Sequence, residues 1–145
     1  MVDEVRLLRL LRHVDGILRA LHDEQSAPNQ RRADSIWLAG IKYLMITGIE
    51  GCIDIAQHAC SSERLGLPAD NSDSFRVLAR YGYLREDTAA ALVLATGFRN
   101  VLVHEYIEVD DTIVLRRLQD LSDLHEFIAQ ASAWLTPTDP TGSET

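Results

Sequence analysis

From Ile36 to Ile55 the chain is apolar almost all the way round a helix, broken by Lys42, Glu50 and Asp54. A helix of that kind has no face it can leave in water, so lipid or other helices must cover it. Three charges within the run argue for protein as the cover, and we read the segment as the buried helix of a bundle. This one element sets the fold problem: the rest of the chain has to supply faces that enclose it.

Those faces are present. Val2, Val5, Leu8, Leu11, Val14, Leu18 and Leu21 recur at spacings of three and four, which predicts an amphipathic helix of about six turns. S-A-P-N-Q breaks it. The apolar helix runs from Asn29 or Ser35 to Ser61, and S-S-E-R-L-G-L-P-A-D-N-S follows as a loop. Ser72 or Asp73 can cap a short third helix that Gly82 stops. A fourth runs from Arg85 into F-R-N-V-L-V-H. Asp110 or Asp111 caps a fifth, whose Ile113, Leu115, Leu118, Leu121, Leu124, Phe127, Ile128 and Trp134 hold helical spacing. Tyr106 to Val109 alternates but is short and has no partner strand, so it reads as a connector. The expected fold is all-α, an up-and-down bundle of four to five helices over residues 1–135, with a disordered tail from 136 to 145.

The length of 145 residues suits one domain. No signal peptide is visible at the acidic M-V-D-E-V-R start. Cys52 and Cys60, about 12 Å apart along one helix, are too distant for a disulfide. The cytoplasm is the expected compartment. A formal net charge of −8 repels polyanions, so nucleic acid would need a local basic patch.

Two clusters carry chemistry. Glu50, Asp54 and His58 fall at i, i+4 and i+8 on one face of the second helix. The face is either a solvent stripe or a set of carboxylates that holds a cation from elsewhere, with Arg99 the obvious candidate. The Asp54–His58 pair has metal-ligand spacing, but no further ligand cluster accompanies it, and no metal or other cofactor is expected. The second cluster is F-R-N-V-L-V-H-E-Y, residues 98–106. Asn100 and His104 share a helix face, whereas Arg99 and His104 diverge by about 140° and stand about 7.5 Å apart along the axis. Histidine moves protons near neutral pH, and arginine neutralises charge on a phosphorus-centred transition state. With a ribose 2′-hydroxyl as nucleophile, that pair suits metal-free RNA cleavage. On spacing alone the plainer reading is preferred, that Arg99, Asn100 and His104 cap a helix end and complement its dipole.

The R-x4-H-x-Y pattern of Arg99, His104 and Tyr106, with Asn100 after the arginine, resembles the motif of HEPN-domain ribonucleases, and more narrowly the HepT toxins of HepT–MntA modules. I-E-G-C-I-D-I-A-Q-H-A is similar to that family's second helix. L-G-L-P and S-F-R-V-L-A-R-Y-G-Y-L resemble its loop and third helix. The likeness spans Val2 to Leu135. It implies a homodimer with the two motifs facing each other, and an RNA endonuclease acting on messenger or transfer RNA without metal. It also implies a nucleotidyltransferase antitoxin of the MntA kind that attaches AMP to the motif tyrosine. The matched residues would be Arg99, Asn100 and His104 in catalysis and Tyr106 as the modified residue, with Glu50 and Asp54 in support. Arg76, Arg80 and Arg85 are candidates for the basic patch. The acidic total also fits a second class: a catalytically weak HEPN module that binds the nucleotidyltransferase or a nucleotide. A plain helical interaction subunit is a third.

Overall fold

The computed structural model describes residues 3–104 and 108–135. Among them are seven helices and no strand: α1 (Glu4–Glu24), α2 (Asn29–Arg32), α3 (Ser35–Ser62), α4 (Asp73–Arg80), α5 (Glu86–His104), α6 (Asp111–Gln119) and α7 (Ser122–Ser132). Four of these, α1, α3, α5 and α7, run up and down as a bundle. The short α2, α4 and α6 sit in the connections. The tail from 136 onward and Tyr106 lie outside the described residues.

α3 is the central helix. By length and composition it could cross a membrane, but it buries Ile41, Met45, Ile49, Cys52, Ile53, Ile55, Ala56, Ala59 and Cys60 against its neighbours. Two glycines set its closest approach. A Cβ on Gly51 would meet Val14 Cγ2 at 2.4 Å, and one on Gly48 would meet Ile17 Cγ2 at 3.2 Å. The small-residue face of α3 therefore receives the branched side chains of α1. Cys52 and Cys60 are buried and free, and burial raises both thiols above the ordinary range.

The pairing directions follow from contacts at both ends. Asp3 O lies 3.4 Å from His58 Nε2 at one end of α1, and Gly51 meets Val14 midway, so α1 and α3 are antiparallel. α3 and α5 are antiparallel too. Ile41 and Met45 share a core cluster with Leu102, whereas Cys52 to Cys60 share one with Ala89, Leu92 and Ala95. Phe75, Phe127 and Trp134 close the first cluster through edge-to-face contacts with ring centroids 5.4 and 6.2 Å apart.

The expected helix ends hold in part. Asp110 caps α6 by accepting from Thr112 N at 2.9 Å, and Gly82, at φ +82°, ends α4. Of the two expected starts, Asn29 and Ser35, α3 takes Ser35, and Asp34 caps it through Ile36 N at 2.9 Å. The fifth helix is two helices. Asp120 is extended and its carboxylate takes Ser122 N and Oγ, at 3.1 and 2.6 Å, a local turn that competes with helix continuation. The apolar period persists across the break because Leu118, Leu121 and Leu124 all reach the core. In α1 the buried line is Leu7, Leu11, Val14, Ile17, Leu18 and Leu21. Val5 and Leu8 are exposed while Leu7 between them is fully buried, since the buried stripe of α1 runs through Leu7 and they lie off it.

Candidate active site

α5 places the site. Glu86 and Asp87 in its first turn complement the positive end of the helix dipole. Thr88, Ala89, Leu92, Ala95, Thr96 and Leu102 are buried along it. Leu102, between Arg99 and His104, is 1% exposed in the second core cluster. Burying that side chain contributes about 1.5–3 kcal/mol and fixes how this last turn and a half of helix is rotated.

That rotation turns Arg99 toward α3. Its Nη2 and Nε both donate to Glu50 Oε2, at 2.6 and 3.1 Å, and its Nη1 donates to Asn100 Oδ1 at 2.9 Å. The arginine side chain is 20% exposed and the glutamate 39%. A guanidinium this far out of water needs an acceptor, and Glu50 provides one. Three of the five N–H donors are used, which leaves two for a ligand. His104 is the last residue of α5 and is exposed. No hydrogen bond or ion pair joins it to Arg99, in line with the angular divergence of i and i+5.

The α3 stripe divides three ways. Glu50 holds Arg99. Asp54, one turn further on, does not reach Arg99; its carboxyl is exposed and faces α1. Partial burial and the Glu50 charge raise its pKa above the usual 3.8, and Arg6 and His13 counteract this. His58 turns away to Asp3 O at 3.4 Å and Ser62 Oγ at 3.5 Å. Asp54 and His58 therefore do not pair, and no group of three or more His, Cys, Asp or Glu side chains converges among the described residues.

The three patch arginines do not act alike. Arg85 is engaged by Asp87 and Glu126, at 3.2 and 3.3 Å. Arg76 bonds Ser72 at 3.3 Å, with Asp73 3.8 Å away. Arg80 has no acidic partner among the described residues. Arg76 and Arg80 flank an apolar groove between α4 and α5 with Ala89, Val93 and Leu94.

Comparison with protein-family models matches residues 9–131 to the family described as Ribonuclease HepT-like. The chain belongs to the HepT-like family. Among its relatives is the mRNA nuclease HepT of Shewanella oneidensis, 38% identical over 80 residues, which are 54% of this chain and 60% of that protein. Another is the tRNA nuclease HepT of Aphanizomenon flos-aquae, 29% identical over 87 residues, 59% of each chain. The HepT-like match thus spans less than two thirds of either relative's length. A solved structure of a tri-AMPylated Shewanella oneidensis HEPN toxin in complex with MNT antitoxin superimposes with a TM-score of 0.81 at 25% identity, covering 92% of this chain and 99% of that one.

One feature of this HepT-like chain escaped sequence reasoning. Ala90, Leu94, Gly97, Val101 and His104 are all exposed along α5. Their spacing of four, three, four and three makes a seam that was readable but was hidden inside a continuous run of Ala, Leu and Val.

Proposed function

We propose that this chain is the toxin of a toxin–antitoxin module. It is a metal-independent RNA endonuclease that works as a homodimer and is silenced when a nucleotidyltransferase antitoxin attaches AMP to Tyr106. The observation that carries the reading is Arg99, fixed by Glu50 and Asn100 with two donors to spare, on the same helix end as an exposed His104. The names of the two nuclease relatives and the AMPylated, antitoxin-bound structural neighbour support it.

The chemistry follows from the residue types. His104 takes the proton from a ribose 2′-hydroxyl, and that oxygen attacks the adjacent phosphorus. The P–O5′ bond breaks, and the leaving 5′-oxygen is protonated by an imidazolium, that of the partner subunit's His104. Arg99 neutralises the charge that builds on the phosphoryl oxygens. The products are a 2′,3′-cyclic phosphate and a 5′-hydroxyl. Proton transfer and charge neutralisation are both supplied by side chains, so the step calls for no Lewis acid. One chain supplies one histidine, and Arg99 and His104 point apart, so two copies related by a two-fold axis make the complete site. The exposed α5 seam, apolar and ending in His104, is the surface on which we place that contact.

AMP on Tyr106 would put a phosphate two residues from His104, where Arg99 can hold it in place of the substrate. The test is expression of the chain alone and with its nucleotidyltransferase. Growth arrest and RNA breakdown in the first case, relief in the second, and no relief or added AMP for Tyr106→Phe are the expected results. Relief of Tyr106→Phe by the same partner would mean occlusion instead.

The net charge of −8, and −16 for two chains, favours a second reading, a catalytically weak module that binds the nucleotidyltransferase. Intact RNA in the first arm of the experiment would select it.

A further inference from the structure

The geometry points to Tyr43 as a base-stacking platform that positions single-stranded RNA for the Arg99–His104 site. This rests on the nuclease reading above and adds a residue to which neither the motif nor the polar stripe drew attention.

Tyr43 lies seven residues before Glu50 on α3, so it shares that residue's face, about 10.5 Å along the axis. α5 runs antiparallel beside it, and His104 lies about 7.5 Å beyond Arg99 in the same direction. Glu50 and Arg99 are in contact, which sets the two helices in register. Tyr43 and His104 therefore stand within about one helical turn of the same level. They also open on the same side. α4 lies over the far half of the α3–α5 pair: Cys60 Sγ meets Ser74 O, Gln57 Nε2 meets Asn71 Oδ1 at 3.0 Å, and Arg76 and Arg80 border Ala89 and Val93. α4 has only eight residues, and on this side no described helix continues over the near half. There Tyr43, Asn100, Val103 and His104 are all exposed.

The state of Tyr43 fits the task. The residue is 65% exposed, and its hydroxyl has no hydrogen-bond partner among the described residues. Its neighbours are otherwise engaged: Lys42 Nζ bonds Asp111 at 3.0 Å, and Thr47 Oγ1 donates to Tyr43 O at 3.0 Å. An acidic chain that must bind RNA gains from an uncharged contact. Stacking on an aromatic ring supplies one, tolerates any base, and is insensitive to the surrounding negative charge.

The test is steady-state cleavage of a short unstructured RNA of mixed sequence by the full-length protein and by Tyr43→Ala, Tyr43→Phe and Tyr43→Trp. Tyr43→Ala should raise KM by about 5- to 150-fold, the range for loss of one stacked base, and leave kcat near wild type. Phe and Trp should restore KM. A substrate series with one base at a time replaced by an abasic ribose should show one position where the KM rise matches that of Tyr43→Ala, and the two losses should not add. A wild-type KM for Tyr43→Ala, with His104→Ala inactive, overturns the platform and leaves the nuclease reading intact. Conversion of Tyr43→Ala to a monomer in sedimentation overturns it in favour of a subunit contact. Absence of cleavage by the wild-type protein overturns both.

Discussion

Arg99 and Glu50 meet on a single carboxylate oxygen: Nη2 and Nε of the arginine both donate to Oε2, at 2.6 and 3.1 Å. The contact ties the motif helix α5 to the central helix α3; it leaves the second carboxylate oxygen outside the pair and, with one N–H on Asn100, two guanidinium N–H groups unused. Glu50 is thus a holder for Arg99, and its loss acts on stability and on activity through one contact. Glu50→Ala is expected to destabilise the fold by about 1–2 kcal/mol, because the partly buried guanidinium loses its charged acceptor while solvent screens some of the effect. In a domain of this size that lowers Tm by about 3–8 °C. Glu50→Gln, which keeps an acceptor oxygen, is expected to lose less stability. Both variants should cleave RNA more slowly than wild type, because Arg99 is no longer held in place. Thermal denaturation alongside a cleavage assay checks both halves.

The α1–α3 seam gives a prediction independent of function. An added methyl at Gly51 would sit 2.4 Å from Val14 Cγ2, so Gly51→Ala is expected to cost about 1–3 kcal/mol through overpacking. Gly16, mid-helix and exposed with nothing within 4 Å of an added Cβ, is the control: Gly16→Ala should gain about 0.5–1 kcal/mol from helix propensity. Equilibrium urea unfolding of the two variants separates the steric cost from the propensity gain.

Much of this was legible in the sequence, for physical reasons that can be named. The central helix was readable because its apolar run is too long to hide anywhere but a core. Glu50 as the acceptor for Arg99 was readable as one of two alternatives, because a cation beside an apolar helix needs a carboxylate. Choosing Glu50 over Asp54 was beyond the sequence, since it depends on how far α5 slides along α3. The break at Asp120 was hidden because Leu118, Leu121 and Leu124 keep the helical period across it. Val5 and Leu8 were assigned to the core because Leu7 and Leu8 give two overlapping apolar stripes on α1, and only packing selects the one through Leu7. The role given to Tyr106 comes from the motif resemblance, and its position lies outside the described residues.

The exposed seam of α5 is the surface proposed above for the contact between two copies. Leu94 is 75% exposed and Val101 41%, so replacing them leaves the monomer core untouched. Leu94→Glu with Val101→Glu is expected to give a folded monomer with wild-type helicity that no longer cleaves RNA. Sedimentation and circular dichroism on the same sample check this. A double variant that stays dimeric would move the contact to another face.

The most direct measurement of the central claim is the end group left on RNA cut by the purified chain in excess EDTA. The account predicts 2′,3′-cyclic phosphate and 5′-hydroxyl ends, formed at the same rate with and without chelator. It predicts a fall of about 10²–10⁴-fold in His104→Ala, the usual contribution of a general acid–base group, and a comparable loss in Arg99→Ala. Cleavage that stops in EDTA and returns with a divalent ion, or that persists at the wild-type rate in His104→Ala, would contradict it.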